Sequence, residues 1–209
     1  MPPSTIVSPA YDRVRSKLDT GDIVLFQGRG FVSHMIRLGT SSRWSHVGMV
    51  VKQDEWGTLM LWESQGIQNL TDVLTGTARN GVKLVVLSDR VKTFDGEVSV
   101  RRLTGFERDA AMKRKLRAFR NEVRGRPFEK SVLTQIKAAL DDGIGLGHNE
   151  EDLSSLFCSE LIAETYQRLG LLGDELPSAE YVPADFSSER EARLHLLGNA
   201  RLGKEQKLK

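Results

Sequence analysis

The 209-residue chain contains a single cysteine, Cys158, and only four histidines. One cysteine cannot form an internal disulfide, so the fold must be stabilised by packing, which is typical of a reducing compartment. Aromatic residues make up only 7% of the chain. Between Arg101 and Arg126 the aromatic residues are Phe106 and Phe119, and Phe119 belongs to the apolar face of the predicted helix, so no aromatic stripe accompanies the basic one to provide base stacking. We therefore expect a solvated basic helix face there, and no nucleic-acid partner.

Long apolar runs are also missing, since no segment approaches the roughly 20 apolar residues of a membrane span. The first nine residues lack the basic start and apolar core of a signal peptide. Charged residues make up 28% with a formal net charge of only +2, which excludes a disordered or strongly polyanion-binding chain. These absences predict a soluble cytoplasmic protein; removal of a leader before residue 1 would instead indicate the periplasm or the cell surface.

Hydrophobic periodicity predicts an α+β fold, a mainly antiparallel sheet with helices packed on it, in one domain over residues 1–209. The expected strands are 23–26, 47–51, 59–62, 82–87 and 97–103, with a turn at 88–90. The expected helices are 11–18, 31–38, 107–123, 132–140 and 156–169. Outside these elements we expect a loose arm at 1–9, a surface loop at 141–154 that acts as a lid, and a polar tail at 198–209.

The cysteine lies at the predicted start of the last long helix. Ser154 and Ser155 are N-cap residue types, which would place Cys158 in the first helical turn. Unpaired N–H groups and the helix dipole there favour a thiolate, and the same N–H groups suit an oxyanion formed by attack at a carbonyl. The alternative is that Cys158 is a small buried hydrophobic residue.

A histidine begins the second predicted strand. Centring the hairpin loop between Glu55 and Trp56 sets Gln53 against Thr58 and places His46 opposite Gln65, diagonal to Glu63 on the same face. A carboxylate at that position can fix one tautomer of the imidazole and leave its other nitrogen for a thiol. The pattern predicts a Cys158–His46–Glu63 site, with the alternative that His46 is an ordinary strand-edge residue.

Four segments in this order resemble the circularly permuted branch of the NlpC/P60 papain-like superfamily, in particular its YiiX/YaeF-type group. They are Gly21-Asp22-Ile23-Val24, Trp44-Ser45-His46-Val47-Gly48-Met49, Trp62-Glu63-Ser64 and Phe157-Cys158-Ser159-Glu160-Leu161. A fifth segment, Gly125-Arg126-Pro127-Phe128, is similar to a Gly-x-Pro-Tyr element of the family, with Phe128 where relatives have tyrosine. The matches extend from about residue 20 to 190.

The resemblance implies a permuted papain-like fold with Cys158 as nucleophile, His46 as base and then acid, and Glu63 as the residue that orients His46. We expect Trp44, Gln65 and Phe128 to contact substrate. The acidic segment 141–152 lacks tight ligand spacing, so we predict neither a metal site nor a cofactor.

The sequence therefore predicts a cysteine-dependent hydrolase that cleaves an amide or ester bond through an acyl-enzyme. By resemblance, its substrate is a peptide, an amino-acid conjugate or a cell-wall fragment. Two alternatives stay open: a thiol acyltransferase that acts on lipid acyl groups, and a papain-like binding module without turnover.

Overall fold

The computed structural model describes residues 7–28, 42–53, 57–65, 70–78, 80–124 and 150–209, with side chains in the last range described from Phe157 onward. The predicted helices 31–38 and 132–140, most of the predicted lid and the Gly125–Phe128 segment lie outside these residues. In the described part of the chain, no helix is both long and apolar enough to cross a membrane.

Ten strands account for the β-structure of the described residues. Their bounds are β1 Ile23–Gly28, β2 His46–Lys52, β3 Leu59–Gln65, β4 Thr71–Asp72, β5 Thr77–Ala78, β6 Gly81–Val86, β7 Gly96–Arg101, β8 Leu103–Thr104, β9 Arg201–Leu202 and β10 Gln206–Lys207. Six of them form one sheet in the order β10-β7-β1-β2-β3-β6. All five pairings in this sheet are antiparallel. The predicted α+β class with a mainly antiparallel sheet is confirmed.

The described residues also form four α-helices: α1 Pro9–Val14, α2 Leu87–Thr93, α3 Ala110–Glu122 and α4 Glu150–Leu169. Short 3-10 helices follow at Arg15–Lys17, Ser178–Glu180, Pro183–Phe186 and Ser188–Arg193. Helix α4 ends as the sequence predicts, because Gly170 adopts a φ of +75° and lets the N–H of Leu171 bond back to the carbonyl of Tyr166.

Strand alternation divides the core into two clusters, one on each face of the sheet. Cluster A contains Val47 and Met49 of β2 together with the buried side of α3 and α4. Cluster B contains Val50 of β2 together with Leu87 and Val91 of α2. The sheet is therefore covered on both faces, by α3 and α4 on one side and by α2 on the other.

Four predictions about local structure are wrong. Residues 88–90 belong to helix α2 rather than to a turn. Residues 150–154, predicted to end the surface loop, already belong to α4. The predicted polar tail is packed, since β10 pairs with β7 and Leu208 is fully buried. The end of the predicted loose arm is ordered, because Ser8 caps α1 and its hydroxyl donates to the carbonyl of Leu208.

Candidate active site

The predicted pairing of β2 with β3 is confirmed. Met49 pairs with Trp62 and Lys52 with Leu59, and the backbone N–H of Gln53 bonds to the carbonyl of Thr58. This register places Glu63 diagonal to His46 on the same face of the sheet. The structure brings the two side chains into contact, with His46 Nε2 2.7 Å from Glu63 Oε2.

Arg90, which is not among the predicted site residues, also contacts Glu63. Arg90 donates its Nε proton to the same Glu63 Oε2 at 3.1 Å. Its guanidinium carbon lies 4.9 Å from the ring centroid of Phe26 and 5.0 Å from that of Phe94. Phe26 also contacts the imidazole of His46, with ring centroids 5.2 Å apart. Two aromatic rings and a carboxylate therefore hold one guanidinium in a fixed position.

The carboxylate of Glu63 is fully buried, which by itself raises its pKa. The charge of Arg90 and the hydrogen bond from His46 outweigh this burial and lower the pKa of Glu63 to about 2. Lys83, which pairs directly with Glu63 on β6, adds further positive charge. Glu63 is thus ionised at any physiological pH, because its cationic neighbours compensate for the lost hydration.

An ionised carboxylate only accepts hydrogen bonds, so Nε2 of His46 must carry the proton. The other nitrogen, Nδ1, is then the unprotonated one in the neutral imidazole. Burial lowers the pKa of His46, although the hydrogen bond to Glu63 acts in the opposite direction. At neutral pH the site therefore holds a neutral imidazole with a fixed tautomer, which is the state required of a general base.

Cys158 approaches the same point of β2 from the other face of the sheet. Its side chain is fully buried in cluster A with Val47 and Met49. The backbone N–H of Val47, the residue after His46, hydrogen-bonds to the thiol sulfur, and the charge of Glu63 acts on the thiol. The structure thus places the sulfur beside the peptide that joins His46 to Val47.

The predicted position of Cys158 within its helix is wrong. Helix α4 begins at Glu150 rather than near Ser154, so Cys158 lies more than two turns inside it. Neither the helix dipole nor the free N–H groups of a first turn act on the sulfur there. Burial raises the pKa of the thiol to about 12, and N–H groups of Val47, Ser159 and Cys158 itself offset this only in part. The resting thiol is therefore neutral.

Two residues predicted to contact substrate are buried in this structure. Trp44 is fully buried in cluster A and Gln65 is 5% exposed. Among the described residues, neither Trp44 Nε1 nor Gln65 Oε1 has a hydrogen-bond partner. Both atoms therefore retain hydrogen-bonding capacity near the His46 end of β2. Phe128, the third predicted contact, lies outside the described residues.

The sequence predicts a turn at residues 88–90 and therefore does not identify Arg90 as a site residue. The spacing of Leu87, Arg90 and Val91 (i, i+3, i+4) is that of one helical face, and all three are buried. An arginine on an apolar helical face is the signal that indicates a buried charge partner. For metals, the described residues contain no group of three or more His, Cys, Asp or Glu side chains placed to hold an ion.

Comparison with known proteins adds a structural likeness. No protein-family model and no curated protein matches the chain. The chain is similar to the crystal structure of the metalloprotein YiiX from Escherichia coli O157:H7, assigned to DUF1105, with 24% sequence identity and a TM-score of 0.47. The match covers 72% of this chain and 66% of YiiX, so slightly less than two thirds of that protein's length is represented.

Proposed function

We propose that this chain is a cysteine-dependent hydrolase that cleaves an amide or ester bond through an acyl-enzyme at Cys158. One observation carries the proposal: His46 and Glu63 form a buried pair, 2.7 Å apart, and the N–H of the next residue, Val47, bonds to the only thiol in the chain. The sequence resemblance to permuted NlpC/P60 proteins supports the same three residues in the same order.

In the proposed reaction, His46 Nδ1 takes the thiol proton as Cys158 Sγ attacks the substrate carbonyl. The tetrahedral intermediate collapses when the imidazolium returns that proton to the leaving amine or alcohol, which leaves a thioester on Cys158. A water molecule, deprotonated by His46, then attacks the thioester and releases the acid product with the free thiol. Glu63 stays ionised throughout and stabilises each imidazolium stage.

The resting structure holds a neutral imidazole but no thiolate. The sulfur is fully buried on the face of the sheet opposite to the His46–Glu63 pair, so attack requires a rearrangement at the His46 end of β2 that exposes Sγ and brings Sγ and His46 Nδ1 to one side of the sheet. On exposure the burial that raises the thiol pKa is relieved, and the N–H of Val47 and the imidazole then favour the anion. Activation coupled to substrate binding is therefore part of the proposal, and it protects the lone thiol from adventitious oxidation.

A thiol acyltransferase would use the same thioester and differ only in its acceptor, an amine or lysolipid instead of water. A binding module without turnover is favoured by a different observation, the full burial of Cys158 and its raised pKa. These alternatives predict different chemistry at one sulfur atom and can be separated directly.

The first test measures covalent chemistry at Cys158. The protein is incubated with a panel of p-nitrophenyl esters and amino-acid thioesters, and its intact mass is recorded over time. The proposal predicts an acyl adduct on Cys158 that decays with release of free acid. Adduct decay that requires an added amine or lysolipid would instead indicate a transferase.

Variants separate catalysis from folding. Cys158→Ala should abolish adduct formation and turnover and lower the free energy of unfolding by only about 1 kcal/mol, as for a small buried side chain. Glu63→Gln should slow acylation by about 10²–10⁴-fold, because Nε2 is no longer paired with an anion. Circular dichroism must confirm that the Glu63→Gln variant is folded.

Iodoacetamide labelling tests the binding-module alternative. Labelling of the protein in 8 M urea gives the rate for the fully accessible thiol, with which labelling of the folded protein is compared. In the proposed hydrolase, iodoacetamide should alkylate Cys158 slowly when no ligand is present and faster when a slowly hydrolysed acyl analogue opens the site. A thiol that stays inert under every condition short of unfolding, with no acyl adduct, would favour a binding module.

A further inference from the structure

A cavity opens at the end of β2 opposite to the candidate active site. It has a volume of about 670 Å³. Its walls come from α1, the end of β2, the start of β3 and helix α2, with lining residues that include Tyr11, Arg15, Lys52, Thr58, Asp89 and Lys92. Because β2 runs from His46 to Lys52, the cavity is roughly 20 Å from the imidazole.

The charges around the cavity are unbalanced. Three cations, Arg15, Lys52 and Lys92, face it together with one carboxylate, that of Asp89, so its formal charge is +2. Within the described residues neither lysine ammonium has a carboxylate partner, and the pair between Arg15 and Asp12 is long at 3.7 Å and exposed. Such a pair contributes little, so no carboxylate of the described residues holds any of the three cations strongly.

The hydroxyl of Tyr11 adds a hydrogen-bond donor to these charges. Tyr11 is only 4% exposed and lines the cavity, so its ring is packed while its hydroxyl can donate to a bound ligand. Burial also raises the pKa of Tyr11, so the hydroxyl remains a donor at neutral pH. Ser16, Thr58 and Ser88 add further hydroxyls to the lining.

We propose that this cavity binds a small phosphorylated organic molecule. A phosphate monoester carries close to two negative charges at pH 7 and three strong acceptor oxygens, which match the charge of the cavity and its donors. The volume lies in the range of small-molecule sites and exceeds what inorganic phosphate alone would fill. Asp89 would accept hydrogen bonds from hydroxyl groups of the organic part, and Val7 and Leu59 would contact its carbon atoms.

The proposal does not depend on chemistry at Cys158. None of the residues that line the cavity belongs to the candidate active site, so the cavity can bind its ligand whether or not the chain is an enzyme.

Isothermal titration calorimetry of the full chain at pH 7 and low ionic strength provides the test. Glucose 6-phosphate and glycerol 3-phosphate are titrated as phosphorylated probes, with glucose and glycerol as uncharged counterparts and inorganic phosphate as the anion alone. We expect both esters to bind with Kd below about 1 mM, the uncharged molecules not to bind, and inorganic phosphate to bind more weakly than either ester. Amide shifts in NMR spectra should cluster at residues 7–16, 52–59 and 86–92.

Three variants locate the binding. Lys52→Met should weaken ester binding about tenfold or more, because a charge-assisted hydrogen bond is lost. Tyr11→Phe keeps the ring packed and should weaken binding about 2- to 10-fold through the hydroxyl alone. Lys115→Met is the matched control, since Lys115 is exposed on α3, which packs on the other face of the sheet, and binding should be unchanged.

Absence of binding by both esters would overturn the proposal. So would equal weakening by Lys52→Met and Lys115→Met, which would indicate attraction to the net charge of the protein rather than a site. Flotation with vesicles containing phosphatidic acid distinguishes the source of the phosphate. Flotation of the protein with the vesicles that the soluble esters do not inhibit would assign the cations to a membrane surface and likewise reject the proposed ligand.

Discussion

Replacing Arg90 by methionine tests whether the guanidinium stabilises the charge of Glu63. The substitution keeps an apolar stem between Phe26 and Phe94 but removes a hydrogen bond to Glu63 Oε2 and the adjacent positive charge. Both partners are at least 98% buried, so the carboxylate loses its main compensation and retains only Lys83 and His46. Leaving one partner of a buried pair uncompensated costs about 3–5 kcal/mol.

The measurement is urea unfolding followed by tryptophan fluorescence, with the midpoint compared at constant m-value. We expect Arg90→Met to lower the free energy of unfolding by about 3–5 kcal/mol, and the exposed control Arg114→Met to change it by less than about 0.5 kcal/mol. Because the charge of Arg90 lowers the pKa of His46, the imidazole pKa should rise in Arg90→Met, as followed by NMR.

A double-mutant cycle shows whether the effect passes through Glu63. Glu63→Gln alone leaves Arg90 and Lys83 as buried cations, whereas the double variant leaves only Lys83. The double variant should therefore be more stable than the two single effects predict, by about 1–3 kcal/mol. A coupling below about 0.5 kcal/mol, or a loss below about 1 kcal/mol in Arg90→Met, would refute the claim that the arginine compensates this carboxylate.

Two further predictions concern positions that support the site. Burial raises the pKa of Asp22 to about 6, although hydrogen bonds from the N–H groups of Asp19 and Leu103 act in the opposite direction. The protonated carboxyl therefore stabilises the folded state below about pH 4, and this contribution is lost as the pH rises through 6. When the pH is raised from 4 to 7.5, the free energy of unfolding of Asp22→Asn should therefore fall by about 1–3 kcal/mol less than that of the wild type. An equal fall in both proteins, measured by urea unfolding at each pH, would contradict this. A Cβ on Gly48 would lie 2.8 Å from Leu61 Cδ1 and 3.1 Å from the Trp62 carbonyl, so Gly48→Ala should raise the free energy of the native state by about 1–3 kcal/mol. Gly203→Ala, whose Cβ meets nothing closer than 3.7 Å, is the control, and equal thermal midpoints for the two variants would reject the steric argument.

Local sequence patterns predicted the centre of the fold well. The alternation of apolar residues and the turn chemistry between β2 and β3 fixed their register, because a one-residue slip would move a whole apolar set to the wrong face. The contact between His46 and Glu63 follows from that register alone. The helical spacing of Met112, Leu116 and Phe119 likewise predicted α3, and all three are buried.

Predictions failed where the deciding interaction came from residues distant in sequence. The tail reads as polar, yet β10 is held by pairing with β7 about a hundred residues earlier. Ser154 and Ser155 are N-cap residue types and predicted a helix start there, but α4 begins at Glu150, so the predicted activation of Cys158 by a helix end does not apply. A cap residue only offers hydrogen bonds and does not force a helix to begin.

The sequence by itself determined the residue types of the candidate site and the strand pairing that joins His46 to Glu63, because both depend on neighbours within one hairpin. Only the tertiary structure decided the charge state and exposure of those residues. Arg90 arrives from a separate helix and keeps Glu63 ionised, while packing of α4 buries Cys158 and keeps its thiol neutral. The physical reason is that ionisation depends on desolvation and on charges that the fold brings together in space, and the periodicity of residues along the chain predicts neither of them.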